Sequence, residues 1–125
     1  MVLVDTGIWS AFFSKPASAE KDALDVLLDE DRVALTGPVL AEVLRGFRRA
    51  EQADWVASRL RLAHYLEPTW EDWRSAAAIG RELAAKSHEV PLTDLVVAAL
   101  ARRVRAFVFT SDPHFDLIPG LKRHR

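Results

Sequence analysis

Short apolar runs separated by pairs of helix-like stretches set the strongest limit on how this chain folds. Val2-Leu3-Val4, closing on Asp5, is too short for a helix and rich in branched residues, so residues 2–5 read as a buried strand. Residues 32–35 and 106–110 read the same way. Residues 64–67 form a weaker strand closed by Pro68, and residues 121–124 a short fifth. Helical patterns fill the intervals. They cover 8–13 after a Thr6-Gly7 turn, 19–29, Thr36 as N-cap to about Arg48, 51–62, 71–86 capped at Thr69, and 94–104 capped by Thr93. Strands that alternate with helix pairs predict one α/β domain over residues 1–125. Its expected form is a three-layer α/β/α arrangement around a mostly parallel sheet of four to five strands. Ligands in such sheets bind beyond the carboxyl ends of the strands, where the strand order reverses. Asp5 and Asp112 fall at such ends.

Composition excludes several chemistries. The chain has no cysteine, so disulfides, cysteine nucleophiles and thiolate metal sites are absent. No apolar run approaches the roughly 20 residues that span a bilayer, so no membrane association is expected. The start lacks the basic region of a signal peptide, and the expected location is the cytoplasm. Net charge is -1, but the basic residues are clustered. They gather at Arg45, Arg48 and Arg49, at Arg59 and Arg61, at Arg102, Arg103 and Arg105, and at Lys122, Arg123 and Arg125. Such strips can hold a polyanion around a metal site, although any one of them also fits a solvated helix face.

Four acids stand where strands meet helices or loops: Asp5, Glu42, Asp94 and Asp112. Each has a structural reading. Asp5 can cap the next helix, Glu42 can pair with Arg45, Asp94 suits the first turn of a helix, and Asp112-Pro113 suits a turn. Each is also set in an apolar surround, where unpaired charge is costly. As a set they read as one pocket whose mutual repulsion a hard cation, Mg²⁺ or Mn²⁺, would relieve. Thr93 can serve the pocket through its hydroxyl, and Asp116 is a further acid nearby in sequence. The four histidines, 64, 88, 114 and 124, show no paired ligand spacing and read as surface or core polar residues. A Ser111–His114–Asp116 triad can be drawn, but nothing in the sequence positions it.

The chain resembles PIN-domain ribonucleases, most closely the VapC toxins of toxin–antitoxin pairs. The resembling residues are Val2-Leu3-Val4-Asp5-Thr6-Gly7-Ile8-Trp9, Pro38 to Gly46 around Glu42, Pro91-Leu92-Thr93-Asp94 with Leu95 to Ala99, and Phe109 to Phe115 around Asp112. The resemblance implies a PIN-like fold and a metal-dependent endoribonuclease with Asp5, Glu42, Asp94 and Asp112 as its catalytic acids. Asp5, Asp94 and Asp112 would hold Mg²⁺ or Mn²⁺, and Glu42 would be a ligand or orient the water. A metal-activated water would cleave RNA to leave 5′-phosphate and 3′-hydroxyl ends. Thr6, Thr93, Ser111 and Asp116 are the expected supporting residues. Arg45, Arg48, Arg102 and Arg103 are the expected grips on the RNA backbone. The resemblance further implies a VapB-like antitoxin, a homodimer and a toxin–antitoxin hetero-oligomer. Trp55, exposed by pattern on the helix 51–62, offers a contact surface, while Trp55, Trp70 and Trp73 also read as core. Gly7 departs from the family, where Ser is frequent.

Two rivals differ in class. A receiver-like phosphoacceptor domain would need paired acids after the first strand and a Lys after the last core strand, and Asp112-Pro113 stands there instead. A catalytically inactive PIN-like RNA-binding module would have no need of the intact acidic set.

Overall fold

The computed structural model describes residues 1–124, so Arg125 of the last basic strip lies outside the described residues. Five strands form one sheet: β1 (Val2–Val4), β2 (Val33–Leu35), β3 (His64–Tyr65), β4 (Phe107–Phe109) and β5 (Lys122–Arg123). Their order is β3-β2-β1-β4-β5, and every pairing is parallel. The central strand, β1, is fully buried because it is covered on both faces. That explains its unbroken apolar sequence, since alternation is needed only where one face meets water.

Six helices connect the strands: α1 (Thr6–Ser14), α2 (Ala19–Asp29), α3 (Gly37–Arg45), α4 (Ala50–Leu60), α5 (Trp70–Ala85) and α6 (Leu92–Val104). The crossovers β1→β2 and β2→β3 step in one direction, and β3→β4 steps back past β1. Right-handed crossovers therefore place α1 to α4 on one face and α5 and α6 on the other. The helix contacts follow that division, α1 with α2 and α3, α3 with α4, and α5 with α6. A close approach at Gly80 helps α5 meet α6. A Cβ there would lie 3.0 Å from Leu95 Cδ1.

Several boundaries differ from the sequence reading. Thr6 and Gly7 form the first turn of α1 rather than a separate turn, with Asp5 at the N-cap position. Helix α3 stops at Arg45, capped by Gly46, short of Arg48. Thr36 is the N-cap residue of α3, but its side chain makes no capping hydrogen bond. Helix α6 begins at Leu92 after Pro91, so Thr93 lies inside the first turn instead of capping it. Residues 113–117 form a 3₁₀ turn that the sequence reading did not assign. Thr69 does cap α5, in a reciprocal box with Asp72. Trp70 and Trp73 are exposed, contrary to the core reading, because they lie on the outer side of α5; the fully buried tryptophan is Trp9.

Candidate active site

The strand order reverses between β1 and β4, and the candidate site lies beyond the carboxyl ends of these two strands. Asp5 follows β1 directly, and its backbone N–H donates to the Phe109 carbonyl of β4 at 2.9 Å. Its side chain is only 5% exposed. The Thr110 hydroxyl, one residue past β4, donates to Asp5 Oδ2 at 2.8 Å. Thr110 Oγ1 also accepts from the Asp112 backbone N–H at 2.9 Å. One buried hydroxyl thus ties the ends of both strands together.

Two further elements bring the remaining acids. Glu42 of α3 accepts from the Thr6 hydroxyl at 2.8 Å and from the Thr93 hydroxyl at 3.2 Å. The first turns of α1 and α6 therefore converge on its carboxylate. Thr93, inside the first turn of α6, thus turns its hydroxyl across to α3. Asp94, the next residue, is 7% exposed, and its Oδ2 has no hydrogen-bond partner. Asp112 accepts from the His114 backbone N–H at 2.9 Å, which folds the chain into the 3₁₀ turn. That turn carries His114 Nδ1 to 3.1 Å from Asp112 Oδ1 and 3.5 Å from Asp94 Oδ2.

The electrostatics follow from this crowding. Burial pushes the Asp94 carboxyl up to about 7, with the charges of Asp5 and Asp112 adding to the effect and His114 opposing it. Burial likewise raises Asp5, aided by Asp112 and Glu42 and opposed by the hydrogen bonds from Thr110 and the Thr6 backbone. Two neighbouring carboxyls shifted toward their neutral forms mark a place that lacks positive charge. Donor atoms of Asp94, Asp112 and His114 all lie within 4.8 Å of one another, a spacing one cation can bridge. The orphaned Asp94 oxygen and this donor set fit a divalent metal.

The other expected site residues divide. Thr6 and Thr93 both hold Glu42. Ser111 is exposed and makes no side-chain hydrogen bond among the described residues; Thr110 beside it reaches the acids instead. Asp116 is turned away to Arg123, whose guanidinium also donates to the Thr110 carbonyl at 2.7 Å. Arg45 and Arg48 are exposed, and Arg45 lies 4.0 Å from Glu42 at the rim of the cluster. Arg103 is engaged elsewhere, donating to both oxygens of buried Asp72 at 2.8 and 2.9 Å. Arg102 and Arg103 stand in the last turn of α6, eight and nine residues beyond Asp94. At 1.5 Å per residue that is about 12 Å along the axis, toward the opposite edge of the sheet. Sequence reasoning missed His114 and Thr110. A His two residues after a strand-end Asp was the available signal for the first, and a hydroxyl closing the strand for the second.

A parallel sheet in this order, with acids gathered at its switch point, defines an α/β domain whose site can accept a divalent cation. The chain belongs to the PIN-domain family, whose profile matches residues 2–121. No curated protein matches it significantly. Among solved structures, VapBC2 from Rickettsia felis, bound to a DNA fragment from its promoter, is 22% identical with a TM-score of 0.84, covering 99% of this chain and 98% of that one. FitAcB from Neisseria gonorrhoeae is 23% identical with a TM-score of 0.80, covering 99% and 97%. VapC20 from Mycobacterium tuberculosis, a toxin that cleaves the sarcin–ricin loop, is 17% identical with a TM-score of 0.73, covering 97% and 98%.

Proposed function

We propose that this chain is a Mg²⁺- or Mn²⁺-dependent endoribonuclease that acts in the cytoplasm as the toxin of a toxin–antitoxin pair. The observation that carries the reading is the buried acidic cluster at the switch point, with Asp94 raised to about 7 and one of its oxygens unpartnered. Asp94 and Asp112 would hold the cation, with Asp5, oriented by Thr110, beside them. A bound divalent cation supplies positive charge to the phosphoryl oxygens and lowers the pKa of its water. Glu42, fixed by two hydroxyl donors, orients the attacking water and accepts its proton. Arg45, exposed at the rim, is placed to meet an RNA phosphate, with Arg48 beyond it in sequence.

The partner reading has separate support. An open cavity of about 520 Å³ is lined by Trp9, Phe12, Phe13, Trp55 and Leu62, with Lys21 and Arg59 on its wall. Trp55 is 55% exposed there and Arg59 lies over its ring at 5.1 Å. An exposed aromatic surface of this kind suits the apolar face of a VapB-like antitoxin. Solved relatives of this fold include toxin–antitoxin complexes. Homodimer formation is part of the same proposal.

The test is RNA cleavage by purified protein with Mn²⁺ and with EDTA, comparing wild type, Asp5→Asn and Asp94→Asn. Cleavage by wild type with Mn²⁺ only, and loss in both variants with unchanged circular dichroism, is the expected result. Wild-type rates in either variant would sink the assignment. Metal-independent RNA binding without cleavage would favour an inactive module.

A further inference from the structure

We infer that His114 Nδ1 is itself a ligand in the cation site, so that this chain holds its metal with a mixed imidazole–carboxylate set that favours Mn²⁺ over Mg²⁺. The inference rests on the metal-dependent reading above and concerns which atoms form the site. Three observations carry it. First, His114 Nδ1 lies 3.1 Å from Asp112 Oδ1 and 3.5 Å from Asp94 Oδ2. Adjacent donors around a cation with bonds of about 2.1 Å stand about 3 Å apart, so these separations suit one shared ion. Second, His114 Nδ1 and Asp94 Oδ2 are both buried and neither has a hydrogen-bond partner. The ring nitrogen approaches the carboxylates without hydrogen-bond geometry, and the two orphaned atoms face one another. Third, the ring is held in place by its own chain. The His114 N–H binds Asp112, and Phe115, 1% exposed, anchors the turn in the core.

Donor type decides the preference. Mg²⁺ favours oxygen ligands and retains several waters, whereas imidazole stabilises Mn²⁺ and the later divalent ions. Replacing one oxygen donor by Nδ1 therefore tilts the site toward Mn²⁺. The competing arrangement leaves His114 outside the ligand set, with the carboxylates alone holding the ion.

The experiment uses the full chain without RNA. Mn²⁺ binding is followed by loss of the free-ion paramagnetic signal, Mg²⁺ is scored by competition, and electron spin-echo modulation reports ¹⁴N coupled to bound Mn²⁺. Wild type should show ¹⁴N modulation that His114→Ala abolishes. The variant should lose about tenfold in Mn²⁺ affinity and much less in Mg²⁺ affinity. Bound Mn²⁺ with no ¹⁴N modulation in wild type overturns the His114 assignment while leaving the acidic site intact. So does an equal loss of both ions in His114→Ala. If wild type binds neither ion, the metal-dependent function fails with it. Should His114→Ala not fold, the wild-type modulation decides alone.

Discussion

Asp94 keeps its proton to about pH 7 because burial, and then the charges of Asp5 and Asp112, disfavour its carboxylate. In the unfolded chain the same group titrates near 3.8. Between these values the folded state binds more protons, so raising the pH lowers stability in the absence of metal. Asp5 is shifted in the same direction. Asp72 works the other way. Burial would raise it, but the hydrogen bonds from Arg103 and the Thr69 backbone outweigh burial and hold it below 3.8, so its contribution is lost on acidification. Metal-free protein should therefore be most stable in mildly acidic buffer. Melting temperatures in EDTA should fall from pH 5 to pH 8, and Asp94→Asn should flatten that fall; a level wild-type profile would contradict the assignment. Thr93→Val removes one of the two hydroxyl donors to Glu42 and should cost roughly tenfold in cleavage rate without loss of fold. Asp5, Asp94 and Asp112 were legible from their positions at strand ends and a helix start, whereas Glu42, inside α3, was singled out mainly by the family resemblance. Their partners were not. Whether Thr110 or Ser111 turns inward depends on the register of β4, and the location of His114 depends on a turn closed by a backbone hydrogen bond.

At the scale of elements, Asp72 joins two structures that the sequence presents separately. It completes the capping box of α5 with Thr69 and receives both donors of Arg103 from α6. Asp72→Ala should destabilise the fold by about 2 kcal/mol, from a lost cap and a broken half-exposed ion pair. Chemical denaturation would measure it, and a loss below about 0.5 kcal/mol would mean that the pair contributes little. Gly80→Val presses on Leu95 across the same helix pair and should cost about 2 kcal/mol by the same measurement. The sequence of elements was readable because β1, β2 and β4 are apolar and α2 to α5 carry apolar stripes, whereas β3 and β5 are polar edge strands. The ends were less so. Helix α6 starts at Leu92, two residues before the expected start at 94, and the exposed Leu92 gave no apolar signal for it. β3 shrinks to two exposed residues because it is an edge strand that pairs only with β2.

For the whole molecule, the sheet order separates two surfaces. The acids lie at the carboxyl edge of the sheet, while Phe12, Phe13 and Trp55 line a groove among α1, α2 and α4. If the groove takes an antitoxin as proposed, Trp55→Ala should weaken that binding by about 2 kcal/mol and leave any RNA cleavage by the chain alone unchanged. Calorimetry and the cleavage assay together test that separation. The hydrogen bond from Thr110 to Asp5 spans 105 positions of the chain and has a different consequence. A ribosome delivers Asp5 and Glu42 long before Asp94 and Asp112, and β4 must dock beside β1 before the acids can meet. A half-made chain therefore carries only part of the cluster. If the cluster cuts RNA, the ribosome and message making the chain are spared its activity until Asp112 has been made and β4 has docked.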